Sequence, residues 1–306
     1  MALGIALSTT FIAIWSVGMW SNVESFTDLL LLNAVVQVVL FTAVACIPYL
    51  RTGRVSYVDI AWPFGVALIG VQLLLLGDAD FARRAAVGAV YLFIGLRMGL
   101  GALAMAKTTG VIFESEFPRY QYRRLLMEQT GVKHERAHML AEIMAQGLAN
   151  TSVLAIPGFL IATTHSGTVS GWEIAGGCIW AAAYVIESIA DAQKMLFISR
   201  NKHGVCNIGL WRYSRHPNYF GEWLVWSGLV VAAVPAWLAL RGVESWPVWS
   251  VLGVGGVGAS LAMYVTLVYI TGATPAEYFS VRKREGYRAY QERTNMFFPW
   301  FPKNAD

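Results

Sequence analysis

Eight side chains stand out because they ionise or hydrogen-bond strongly and yet lie in long hydrophobic runs: Asp59, Arg97, Gln146, Asn150, Glu187, Asp191, Lys194 and Glu222. An Arg or Asp at the centre of a membrane helix costs roughly 2.5–3.5 kcal/mol on insertion scales, so such groups normally face protein or a polar cavity. Glu187 and Asp191 are one helical turn apart and Lys194 follows three residues later, which puts all three on one stripe of a helix. An ion pair between Lys194 and one of the acids is one reading of that stripe. A polar cavity reaching into the membrane is the other, and it accounts for contributions from five consecutive runs.

The most polar passage between two apolar runs is "GLWRYSRHPNYFGEW", residues 209–223. Pro217 suits the first turn of a helix, where its missing N–H is not needed. The free N–H groups of that turn, with Arg212 and Arg215 beside them, are expected to form an anion site matched to a phosphate or pyrophosphate. Asn218 and Glu222, one turn apart on one face, would line the wall below and hydrogen-bond amide or ribose groups. These ingredients suit a phosphorylated cofactor held at the membrane surface with its reactive end lowered into the protein. A competing reading makes Arg212, Arg215 and His216 interfacial anchors, but it leaves Glu222 unexplained.

The elements that must position these groups are membrane helices. The 306 residues are 56% hydrophobic and only 14% charged, against roughly 25% charged in soluble domains. Apolar runs read as candidate spans at about 3–21, 28–50, 56–76, 85–106, 139–163, 172–197, 218–240 and 247–271. The first is interrupted by Ser and Thr, and no Lys or Arg precedes Arg51, so it does not read as a signal peptide. The expected fold class is all-α, a polytopic membrane helix bundle. Residues 1–26 form an extension carrying an extra transmembrane helix, and 27–306 form the main membrane domain. Segments after the even-numbered runs hold 18 Lys and Arg, against 3 after the odd-numbered ones. The positive-inside rule therefore puts the even-numbered loops and the tail in the cytoplasm. It also explains the net charge of +4 without a nucleic-acid partner. Cys46, Cys178 and Cys206 have no metal-ligand spacing with the histidines, so neither a metal centre nor a disulfide framework is expected. "GVGGVG" (253–258) matches a dinucleotide fingerprint in letters alone, because it lies inside a span rather than between a strand and a helix. Helix packing is the expected use of those glycines.

The ordered set of motifs resembles the steroid 5-alpha-reductase family, in particular its bacterial membrane branch. The resemblance rests on "SYVDIAW" (56–62), "GLRMG" (95–99), "FPRYQYRR" (117–124), "QG" (146–147), "ESIADAQK" (187–194), residues 209–223 and the tail "PAEYFSVRKREGYRAYQERTNMFFPW" (275–300). It covers the chain from about residue 30 onward. What it implies is a seven-helix core, NADPH bound from the cytoplasmic side, and hydride transfer to the carbon–carbon double bond of a lipid-like enone arriving from the bilayer. By motif, the cofactor site would comprise Arg97, Arg119, Tyr120, Arg123, Glu187, Asp191, Arg212, Arg215, His216, Asn218, Tyr219, Glu222, Trp226 and Tyr278. Family members polarise the ketone with an acid and a tyrosine. The nearest acid here is Asp59, expected to be protonated and to donate a hydrogen bond. Ile94 occupies the place of the family tyrosine, which leaves Tyr91 and Tyr57 as candidates. Two other readings compete: an S-adenosylmethionine-dependent membrane methyltransferase of the isoprenylcysteine type, which shares the His-Pro and Tyr-Gly features, and a non-catalytic lipid-binding or transport protein. Membrane lipids and a hydrophobic substrate are the expected partners, in a bacterial inner membrane.

Overall fold

The structure, a computed structural model, describes residues 2–165 and 167–303, the side chains of residues 2–5 aside. The described elements are helices: α1 Ala2–Gly18, α2 Glu24–Phe41, α3 Ile47–Thr52, α4 Val58–Leu76, α5 Phe81–Thr109, α6 Pro118–Gln129, α7 Glu135–Thr151, α8 Ile156–Ala162, α9 Gly171–Arg200, α10 Pro217–Ala239, α11 Trp246–Val265, α12 Ala273–Lys283 and α13 Tyr287–Arg293. Wide π turns at Thr42–Cys46 and Thr266–Ile270 carry α2 into α3 and α11 toward α12. The protein is an all-α polytopic helix bundle and an integral membrane protein.

Among the described residues, seven helical segments are long and apolar enough to cross a membrane: Glu24–Thr52, Val55–Leu76, Phe81–Thr109, Glu135–Ala162, Gly171–Arg200, Pro217–Gly242 and Trp246–Lys283. They coincide with the second to eighth runs of the sequence. The first run forms α1, whose 17 residues reach about 26 Å at 1.5 Å per residue. This helix packs on α7 and α2, with Trp15 Nε1 donating to Leu30 O at 3.3 Å.

Local chemistry sets several boundaries. Asp80 caps α5 by accepting from Arg83 N at 3.1 Å, and Gly110 ends that helix at φ 72°. Proline occupies the first turn of α6 (Pro118), α8 (Pro157) and α10 (Pro217), where its missing N–H breaks no helical bond.

The chain forms two compact units, Met1–Ile174 with Val230–Ala259, and Ala175–Leu229 with Ser260–Asp306. In the first, α4 packs along α5. A core of Phe41, Tyr49, Val58, Tyr120, Met139 and Ile143 closes one end. The glycines of "GVGGVG" do what packing requires: a Cβ on Gly255 would lie 2.6 Å from Ile156 Cδ1 and 2.9 Å from Ile14 Cγ2. In the second unit the end of α9 runs against the start of α10. Gly221 makes that approach possible, since a Cβ there would meet Glu187 Cβ at 2.8 Å and its backbone N at 2.9 Å.

Candidate functional site

The first unit gathers its polar groups where α4 begins. The segment before α4 is tied to α6: Phe117 N donates to Ser56 Oγ at 2.9 Å, and Arg124 Nη2 donates to Gly53 O at 2.6 Å. Arg124 Nε also donates to Glu116 Oε2 at 3.0 Å. These ties bring Arg119 and Tyr120 onto Asp59. One carboxylate oxygen of Asp59 forms a close ion pair with Arg119, and the other accepts from Tyr120 Oη at 2.9 Å. The Arg119 guanidinium lies 4.4 Å from the Phe117 ring centroid, so an aromatic face steadies it as well. Tyr120 is buried, and burial together with the neighbouring carboxylate pushes its phenol well above the ordinary range. It therefore stays a hydrogen-bond donor at neutral pH.

Both carboxyl oxygens of Asp59 are thus engaged, one by a guanidinium and the other by a phenol. Tyr91 is engaged elsewhere in the same unit. It is fully buried, its Oη donates to Leu154 O at 2.6 Å, and it accepts from Gly158 N at 3.2 Å. Those bonds tie α5 to the residues around α8 and engage the hydroxyl in both directions. Tyr57, by contrast, is half-buried at the mouth of α4, and its Oη accepts from Arg54 Nη2 at 3.2 Å. Arg123, expected at a phosphate, forms a two-point ion pair with Glu142. Arg97 sits half-buried in α5.

Deeper in this unit lies an amide network that sequence reasoning did not single out beyond Asn150. Gln37 Nε2 donates to Asn33 Oδ1 and to Gly65 O, both at 3.0 Å. Asn33 Nδ2 reaches Asn150 O at 2.9 Å, Gln72 Nε2 reaches Asn33 Oδ1 at 3.3 Å, and Asn150 Nδ2 donates to Trp62 O at 3.0 Å. Asn33 and Gln37, four residues apart in one apolar run, were the available signal. The mutual bonds give these amides a structural use, since carboxamides in an apolar interior need partners.

The second unit places Asp191 and Asn218 together: Asn218 Nδ2 donates to Asp191 Oδ1 at 3.0 Å. Asn218 Oδ1 and Ser188 Oγ are shielded from solvent and have no hydrogen-bond partner among the described residues. Ser188 shares a face of α9 with Asp191, three residues on. Glu187 is buried where α10 crosses, Glu222 is half-buried one turn beyond Asn218, and Trp226 is fully buried. Lys194 does not pair with Asp191; its Nζ stands 4.2 Å from the centroid of the Trp211 ring.

The expected phosphate cradle is rearranged. Arg212 is exposed, but Arg215 and His216 are buried. Arg215 grips Glu277 of α12 with Nε at 2.6 Å and Nη2 at 3.1 Å, while its Nη1 donates to Gln291 O at 2.9 Å and to Thr294 O. Glu277 also accepts from Gln291 Nε2 at 2.6 Å and meets His216 Nε2 at 3.1 Å. Burial lowers the His216 imidazole below its ordinary value, although Glu277 pulls the other way. The neutral ring then donates its Nε2–H to the carboxylate, with Tyr219 stacked on it at 5.3 Å. Arg215 and His216 thus lock the tail to the head of α10 instead of facing a ligand. A buried arginine without its carboxylate would be strongly destabilising, which is the physical reason for this arrangement. Tyr278 is half-buried under the Arg282 guanidinium, 3.5 Å from its ring centroid.

Residues 45–294 match the model of a family described as protein of unknown function (DUF1295). The chain belongs to this family. No curated protein and no solved structure matches it. All the polar groups of the DUF1295 protein described above except Asn33 and Gln37 lie within the matched stretch, whereas α1 and α2 lie outside it.

Proposed function

We propose that this DUF1295 protein is a membrane-embedded reductase that transfers hydride from NADPH to the C=C bond of a hydrophobic enone. The observation that carries the reading is the Asp191–Asn218 pair, in which the Asn218 carbonyl oxygen and the nearby Ser188 hydroxyl are buried without partners. Buried acceptors left unmatched cost about 1–3 kcal/mol each, and a ligand that brings an amide N–H and sugar hydroxyls relieves that cost. NADPH carries both kinds of group and supplies the hydride when bound.

In this reading Asp191 orients the Asn218 amide, leaving Oδ1 to accept from a carboxamide. Glu187, Glu222, Trp226, Tyr219 and Tyr278 complete the proposed cofactor residues of the second unit. Arg212, exposed at the head of α10, takes a phosphate. Arg215 and His216 keep their structural task. Asp59 holds Arg119 and Tyr120 in place, and Tyr57 is the tyrosine assigned to the substrate oxygen. A donor aimed at that oxygen stabilises the negative charge that grows as hydride reaches the β-carbon, and a proton then completes the α-carbon. The apolar spans favour a lipid-like substrate arriving from the bilayer, with the cofactor taken from the cytoplasmic side.

The test is a titration of the detergent-purified protein with NADPH, NADH and S-adenosylmethionine while thermal unfolding is followed. Saturable stabilisation by NADPH is expected, near 2.7 kcal/mol at about a hundred times Kd, with Asp191→Ala and Asn218→Leu losing at least about tenfold in affinity for one lost charged hydrogen bond. Stabilisation by S-adenosylmethionine alone would transfer the assignment to methyl transfer. Silence from all three nucleotides in a folded sample would defeat the reading.

A further inference from the structure

We propose that a compact aromatic and basic patch beside the head of α10 binds the headgroups of anionic phospholipids. The proposal does not depend on the reductase reading, and Arg212 is the one residue that both use. The tail folds back over residues 211–216: Arg215 N donates to Asn295 O at 2.9 Å and Ser214 Oγ to Phe297 O at 2.8 Å. Further on, Trp300 N donates to Tyr213 O and Lys303 N to Arg293 O, each at 2.9 Å. These bonds hold three large rings in fixed and open positions. Tyr213 is 38% exposed, Trp300 69% and Phe301 74%, with the Tyr213 and Phe301 rings edge to face at 5.9 Å. Rings of this size normally bury 150–250 Å². Their exposure on a pinned backbone calls for something outside the protein to cover them.

Three exposed cations surround the rings. Arg212 adjoins Tyr213, and Arg293 and Lys303 are joined through the backbone bond. Among the described residues none of them pairs with an acidic side chain; the Arg293 guanidinium bonds Ala289 O at 3.4 Å. No acidic residue occurs from Ala192 to Gly221, and Glu292 is the only one from Gly286 to Lys303. The patch therefore combines uncompensated positive charge with amphipathic rings.

Its height in the membrane follows from α10. The apolar span Pro217–Gly242 begins four residues after Tyr213, so the patch stands at the polar end of a membrane crossing. At that depth the neighbours are lipid headgroups. Indole and phenol rings favour the zone between acyl chains and water, and Lys and Arg favour anionic headgroups. A free phosphate would satisfy the cations and leave the rings uncovered, which is why a lipid is the better occupant.

The experiment uses the full chain in detergent, titrated with short-chain phosphatidylglycerol, with phosphatidylcholine of equal chain length, and with inorganic phosphate, following thermal unfolding. Phosphatidylglycerol is expected to stabilise saturably, and the other two are not. The combined Arg212→Gln, Arg293→Gln, Lys303→Gln protein should unfold normally in phosphatidylcholine and bind phosphatidylglycerol roughly a hundredfold more weakly, about fivefold per cation. If that protein unfolds early, Lys303→Gln alone carries the test with its roughly fivefold loss. Trp300→Ala, with all charges kept, should also weaken phosphatidylglycerol binding. Equal stabilisation by both lipids, a full effect from phosphate, or undiminished binding in the charge variants would overturn the proposal. Stabilisation by NADPH should be the same in Lys303→Gln and Trp300→Ala, neither of which belongs to the proposed cofactor residues, and this separates the patch from the cofactor site.

Discussion

Glu277 determines what two of the most conspicuous residues of the opening stretch can do. Arg215 and His216 sit where a phosphate site would be expected from local sequence, and a carboxylate some sixty residues later claims both. His216 is then held neutral by burial, so the unfolded chain binds a proton more readily than the native one does. The native state should therefore keep its full stability above about pH 6.5, the ordinary imidazole value, and lose it as pH falls below that. Comparing unfolding midpoints of the wild type and His216→Gln across pH 5–8 isolates the effect, because the acid-side loss should shrink in the variant. An equal loss in both would mean that other groups dominate. Asp59 carries the same lesson. Its type and position in an apolar run single it out, but its partners, Arg119 and Tyr120, reach it from a helix some sixty residues on. Asp191 and Asn218 were more legible, because each lies at a readable place on its helix and only the bond between them needed the fold.

Helices were the best-read level, since seven apolar runs became seven spans, with ends within a few residues except that the last runs on to Lys283. Their ends follow from proline at the first turn and glycine at the last, both local effects. The π turns at Thr42–Cys46 and Thr266–Ile270 have no comparable local signal and arise from how the helices pack. Gly221 shows an element-scale constraint that reaches the site. A side chain there would collide with Glu187, so Gly221→Val should push α9 and α10 apart, costing about 1–3 kcal/mol by overpacking. It should also weaken NADPH binding by drawing Asn218 away from Asp191. Gly256→Ala, in α11 with open space around the glycine, serves as the control and should leave both properties unchanged. Thermal unfolding and an NADPH titration of the two variants check this pair of expectations.

For the whole molecule, the asymmetry of Lys and Arg among the loops predicts an orientation. In a cysteine-free background, Arg241→Cys should react with a membrane-impermeant maleimide from outside intact cells, and Lys202→Cys only after lysis, since both positions are exposed. Labelling of both from one side would reverse that reading. The sequence by itself determined that this chain is an all-helical membrane protein, roughly where its spans lie, and which polar residues could not face lipid. Those properties follow from the free energy of moving each side chain between water and hydrocarbon, and that is additive along the chain. Tertiary structure alone decided which polar groups meet. It gave Arg215 to Glu277 and Arg119 to Asp59, and it left an acceptor of Asn218 open beside Asp191. A hydrogen bond or ion pair depends on two atoms coming within about 3 Å of each other. Residues sixty positions apart in sequence carry no record of that distance until the helices have packed.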